Sequence, residues 1–337
     1  ALTGGLGECG RGDYRAAATL AEAAGEGGRI ASLEHFAADP PLRLRPGADS
    51  CRVPFRELYP LAMVRAKLLR EIMLFAVDTG APCLLLDQSA ARRLGVRLFE
   101  GRGQIAWLGT MHAVTYGVVP SFELGDFTLE NVPVAVLPLR KYSAAVHGAK
   151  EPVAGVIGVE LLRAFTPTLD YPEHELVLRR RTLVAAAAAT PVSDGGTVEN
   201  AVPLEIWSES ELMVRGRVRD SRPLALWLHS GFPECGFGAS AATLDELSLS
   251  AGGGISRAIR GAATVLRGNA WARVQIPSIS IGRLREGPVS GWSGALDGAL
   301  ATRHGLGRDG FISHDLFRDW RVTIDWDASR VRFDPEK

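Results

Sequence analysis

Phe75-Ala76-Val77-Asp78-Thr79-Gly80-Ala81-Pro82 closes an apolar run that begins at Ile72 and has the length and composition of a buried strand. The run stops at an Asp, so an ionisable carboxyl is set where a strand leaves its sheet. Asp and Gly also start turns for purely local reasons. The triplet therefore decides nothing alone, and its weight comes from what lies downstream.

Gly155-Val156-Ile157-Gly158-Val159-Glu160-Leu161-Leu162 is followed by Phe165 and by Leu169-Asp170-Tyr171. This block recurs 155 residues later: Gly155-Val156-Ile157-Gly158 meets Gly310-Phe311-Ile312-Ser313. At the same separation Leu161 meets Leu316, Phe165 meets Trp320, Thr168 meets Thr323, Asp170 meets Asp325, and Tyr171 meets Trp326. Ser121 to Gly125 likewise answers Ser278 to Gly282. The opening motif repeats at a separation of 151, Leu74 to Pro82 aligning with Ala225 to Pro233. A repeat this long implies two copies of one fold. In the second copy His229 stands where the first has Asp78, and Ser230 and Gly231 stand for Thr79 and Gly80.

An Asp-Thr-Gly-Ala motif followed by a hydrophobic-hydrophobic-Gly element resembles the retropepsin-like and pepsin-like aspartic peptidases. The resemblance implies an all-β, two-lobed pepsin-like fold with Asp78 and His229 as the catalytic pair at the lobe junction. Thr79, Gly80, Ser230 and Gly231 would shape the two active-site loops. Asp78 would be the base, with His229 in place of the second carboxylate; a histo-aspartic variant of the family has its His in the first lobe instead. Gly101 to Gly117 occupies the place of the family's mobile flap, which makes Trp107 and Tyr116 candidates to cover substrate, although an aromatic residue in a strand also serves simple packing. The implied substrate is a polypeptide, handled by a monomer without cofactor. Two alternatives stay open: an inactive relative that binds peptide in the cleft, and a non-proteolytic reaction in the same cleft. Ser313 in place of a second Gly158 is a further departure. A serine hydrolase is disfavoured, since Ser230 neighbours His229 on a strand end and no Gly-x-Ser-x-Gly elbow is present.

The chain of 337 residues is long enough for two cores, and Lys plus Arg balances Asp plus Glu at 38 each. That balance argues against a nucleic-acid partner. No apolar run reaches membrane-spanning length. The Cys and His spacings match no metal-ligand pattern, so no metal site is expected. Cys9 and Cys51 could bridge or stay as thiols, and the compartment stays open, with a periplasmic or secreted setting favoured over a cytoplasmic one.

Ahead of the β-rich part, Asp13 to Ala24 and Arg29 to Ala38 read as a helical hairpin of tetratricopeptide type, the first helix capped by Asp13. Expected borders are 1–48 for this extension, 49–182 for the first lobe, 183–197 for a linker and 198–337 for the second lobe. Within the first lobe, Ser89 to Gly95 reads as a short helix capped by Ser89, and Ser121 to Leu129 as a hairpin turning at Gly125-Asp126. Lys141 to Glu151 reads as a surface loop.

Overall fold

A computed structural model describes residues 13–23, 26–108, 110–147, 151–181, 200–207, 211–249, 272–294, 296 and 307–336. The expected linker, Cys9 and the Ala-rich tract after Leu183 lie outside the described residues.

Two lobes repeat one strand order. In the first, Met63–Leu68, Glu71–Val77, Val153–Ile157, Leu84–Asp87, Phe127–Leu137 and Thr110–Leu124 are successive neighbours. In the second, the same path runs through Leu212–Val218, Leu224–Leu228, Gly310–Ile312, Phe237–Ala239, Val289–Ser293 and Ala272–Ile276. The parallel pairs correspond as well: Ile157 registers with Val77, and Ile312 with Leu228. The fold is thus the two-lobed, mostly β arrangement expected from the repeat.

A shared antiparallel sheet joins the lobes. Glu175–Arg180 and Phe165–Asp170 from the first pair onward to Trp320–Asp325 and Arg330–Pro335 from the second. At the seam Thr168 is in register with Thr323, and their hydroxyls hydrogen-bond at 2.8 Å. Residues equivalent by sequence repeat thus face one another, which places the local two-fold between them. Behind the seam, one continuous apolar core takes side chains from both lobes, including Phe75, Phe165, Leu226 and Ile324.

The strand Glu71–Val77 shows why the apolar run looks uninterrupted. Phe75 and Val77 face that core, whereas Leu74 and Ala76 face a second apolar layer, so both faces are buried. Alternation at period two sends Asp78 to the side of Leu74 and Ala76. In the other lobe Ala225 and Trp227 belong to the same second layer, and His229 follows them. This layer takes side chains from both lobes.

The amino-terminal helices run over Tyr14–Ala23 and Gly27–Ala38 and form their own small apolar contact through Ala17, Ala18, Ala21 and Leu33. Asp13 Oδ1 accepts from the Ala16 backbone, as its capping role requires. The second helix docks on the first lobe: His35 Nε2 lies 3.1 Å from Asn131 Oδ1, and the rings of His35 and Phe36 pack against Phe99. Gly28 presses so closely on the chain at Arg102 that a Cβ would fall 1.8 Å from the Arg102 carbonyl oxygen. The hairpin therefore rests on the root of the strand Gly103–Trp107.

Two local readings change. The helix Gln88–Leu94 is capped by Asp87, whose carboxylate accepts from Ser89 N and Ala90 N, and not by Ser89; Gly95 ends it in the left-handed region as expected. Arg140–His147 is a helix where the sequence suggested a surface loop. Its polar exterior hides an inward side on which Tyr142 and Ser143 are buried, and Ser143 Oγ accepts from Val153 N. Cys51 and Cys235 are buried free thiols.

Candidate active site

Asp78 and His229 meet where the two strand ends converge, with His229 Nδ1 3.0 Å from Asp78 Oδ1. Each is held from below in the same way: Asp78 N donates to Ile157 O and His229 N to Ile312 O, both at 3.0 Å. The loops are then cross-tied. Thr79 N donates to Ser230 Oγ and Ser230 N to Thr79 Oγ1, both at 3.0 Å. The hydroxyls in turn donate across the junction, Thr79 to Leu228 O and Ser230 to Val77 O, at 2.8 and 3.2 Å. Four hydrogen bonds between buried groups, each using the hydroxyl of Thr79 or Ser230, fix one loop against the other and so hold the pair in place.

The two glycines are required by close approach. A Cβ on Gly80 would sit 2.3 Å from three atoms of the His229 ring, and one on Gly231 would sit 2.1 Å from the Asp78 carboxyl carbon. Each loop's Gly thus leaves room for the opposite lobe's functional side chain.

Asp78 has three hydrogen-bond donors around it. Gly80 N donates to Oδ1 at 2.7 Å, Trp107 Nε1 donates to Oδ2 at 2.8 Å, and His229 Nδ1 approaches Oδ1. Burial alone would push this carboxyl up. The electrostatic pull of His229 beside it and the hydrogen bonds from His229, Trp107 and Gly80 outweigh it and hold Asp78 below the ordinary carboxylate range. Gly231 N also lies 3.3 Å from His229 Nδ1, a contact that would need a lone pair on that nitrogen. An ionised carboxylate at 3.0 Å needs a proton there, and we assign Nδ1 as the donor to Asp78 because the shorter contact carries the charge.

His229 sits among aromatic rings: Trp227 at 4.5 Å, Phe232 at 4.4 Å and Phe311 at 6.2 Å between centroids. By the internal repeat these occupy the positions of Ala76, Ala81 and Val156. The imidazole thus comes with a rebuilt wall, larger rings having replaced small side chains on the His side only. This signal lay in the aligned repeats. Tyr142 carried no such signal; its ring packs on Trp107 at 4.7 Å, and burial together with the Asp78 charge pushes its hydroxyl well up.

Of the two hairpin aromatics, Trp107 reaches the pair directly and is buried over it. Tyr116 lies lower, half-buried, its ring against Gly103 at the hairpin's root. Asp78 and His229 are themselves fully buried.

Residues 71–161 match the family described as aspartyl protease. Among solved structures, the aspartic proteinase from Irpex lacteus is 10% identical, covers 86% of this chain and 98% of its own, and superposes with a TM-score of 0.50. A retropepsin-like aspartic protease from Rickettsia conorii is 19% identical over 41% of this chain and 94% of its own, with a TM-score of 0.27. No curated protein matches the sequence. The family match thus falls within the first lobe, and the Irpex lacteus enzyme shares the two-lobed fold.

Proposed function

We propose that the protein is an atypical aspartic-type peptidase that hydrolyses a polypeptide at the inter-lobe junction, with Asp78 and His229 acting as a pair on the attacking water. The observation that carries this reading is the 3.0 Å Asp78–His229 contact held inside an intact reciprocal loop network. A cleft that had lost its chemistry has no need for two glycines cut to the size of the opposite side chain, nor for an aromatic wall rebuilt around an imidazole. Trp107 and Tyr116 belong to the covering hairpin and line the substrate side in this reading.

The test is cleavage of a peptide library by the full chain, with Asp78→Asn and His229→Asp as variants. Loss of cleavage in Asp78→Asn is expected, and His229→Asp should restore ordinary two-carboxylate proteolysis. Equal turnover by wild type and Asp78→Asn would sink the proposal. Peptide binding of equal affinity by both, with no product from either, would instead favour a binding cleft.

A further inference from the structure

The preceding reading leaves open which member of the pair removes the proton from water, and the hydrogen bonds around the two side chains differ enough to decide it. We infer that His229 Nε2 is the general base and that Asp78 is the residue that orients and polarises the imidazole, the reverse of the roles suggested by the sequence resemblance. This assignment rests on the peptidase reading.

The argument is an inventory of atoms. Asp78 Oδ1 accepts from Gly80 N and from His229 Nδ1, and Oδ2 accepts from Trp107 Nε1. Three donors spread the negative charge and weaken the carboxylate as a base. On the imidazole, Nδ1 is turned to Asp78, with Gly231 N farther off at 3.3 Å, while Nε2 is buried and has no hydrogen-bond partner among the described residues. A proton on Nδ1, fixed by the carboxylate, leaves the lone pair of the neutral ring on Nε2. A buried polar atom with no partner is costly, which makes Nε2 the atom of the pair with capacity left to accept a proton. Tyr142 Oη, also buried and without a hydrogen-bond partner among the described residues, lies on the Trp107 side of the same apolar layer.

The proton balance then closes without a second carboxylate. A water O–H bond breaks, its proton goes to Nε2, and the oxygen bonds to the peptide carbonyl carbon, whose C=O electrons move onto oxygen. As the carbonyl re-forms, the C–N bond breaks and the Nε2 proton passes to the departing nitrogen. The products are an acid and an amine, and Nδ1–H stays on Asp78 throughout. The carboxylate stabilises the transient imidazolium.

Imidazole 15N–1H spectra of the 15N-labelled wild-type chain at its pH of greatest turnover test the assignment, with the His229 signals identified by their loss in His229→Gln. The expected spectrum has a proton on Nδ1 and none on Nε2, and cleavage is expected to fall at least a hundredfold in His229→Gln. A proton on Nε2 in the resting enzyme, or undiminished cleavage by His229→Gln, would overturn the base assignment while leaving the peptidase reading in place. The Nδ1–H form without any cleavage by wild type would overturn the peptidase reading, and the base assignment with it. The tautomer itself is read on the wild-type chain, and His229→Asn repeats the signal assignment if His229→Gln does not fold.

Discussion

Trp107→Phe replaces the buried indole by a smaller ring and deletes the Nε1–H donor to Asp78 Oδ2, so it removes that hydrogen bond together with some packing. The lost bond is a 2.8 Å N–H···O contact to a buried, ionised acceptor. Hydrogen bonds to charged groups contribute about 1.5–3 kcal/mol, and the smaller ring adds a packing loss of about 1 kcal/mol. A decrease in unfolding free energy of roughly 2–4 kcal/mol is expected near neutral pH from these two sources. The pH dependence separates them. Asp78 has a folded-state pKa below its unfolded value, so its stabilisation is present above the ordinary carboxylate pKa of about 3.9 and is lost as pH falls through the depressed value. The hydrogen-bond part of the difference between wild type and variant should shrink in that acid window, while the packing part persists. Urea unfolding of both proteins at several pH values from neutral to below 4 measures the two parts. A difference that stays constant across that range, or one under about 0.5 kcal/mol at neutral pH, would refute the coupling between hairpin and carboxylate.

Three further perturbations follow from the geometry. Gly231→Ala places a methyl group 2.1 Å from the Asp78 carboxyl carbon; overpacking should cost about 1–3 kcal/mol, and displacing the pair by about 1 Å should cut any turnover roughly a hundredfold, as read by melting and peptide cleavage. His314 is buried beneath Tyr59 and Tyr171, and burial first, then the Arg318 cation, push it down to about 4. Its contribution is therefore complete above the unfolded imidazole pKa and is lost as pH falls from about 6.5 to about 4, a loss of about 3 kcal/mol that His314→Gln should flatten in urea titrations. Glu211 and Arg308 form a buried ion pair at 2.9 Å, with the guanidinium over the Trp227 ring. Glu211→Gln leaves that cation without its carboxylate and should destabilise the chain by about 3 kcal/mol or more in the same assay, with little effect if the pair is dispensable.

The repeat made the architecture legible because a duplicated fold leaves equivalent residues at constant spacing. Thr168 and Thr323, paired on paper by their separation, are hydrogen-bonded at the seam between the lobes. Asp78 and His229 were matched in the same way. The loop Lys141 to Glu151 was misjudged because a polar exterior masks the inward placement of Tyr142, which depends on the layer beneath it. The cap at Asp87 was missed by two residues, since Asp and Ser both accept backbone hydrogen bonds and only the actual turn chooses between them.

By itself the sequence determined the fold class, the duplication and which two residues correspond, since these depend on period and spacing along one chain. Only the tertiary structure decided how the pair is dressed: the Trp107 donor on one carboxylate oxygen, Nδ1 on the other, the buried Nε2 without a partner among the described residues, and helices resting on the root of the hairpin. Hydrogen bonds of this kind depend on sub-ångström approach between segments far apart in sequence, and no local pattern encodes that distance.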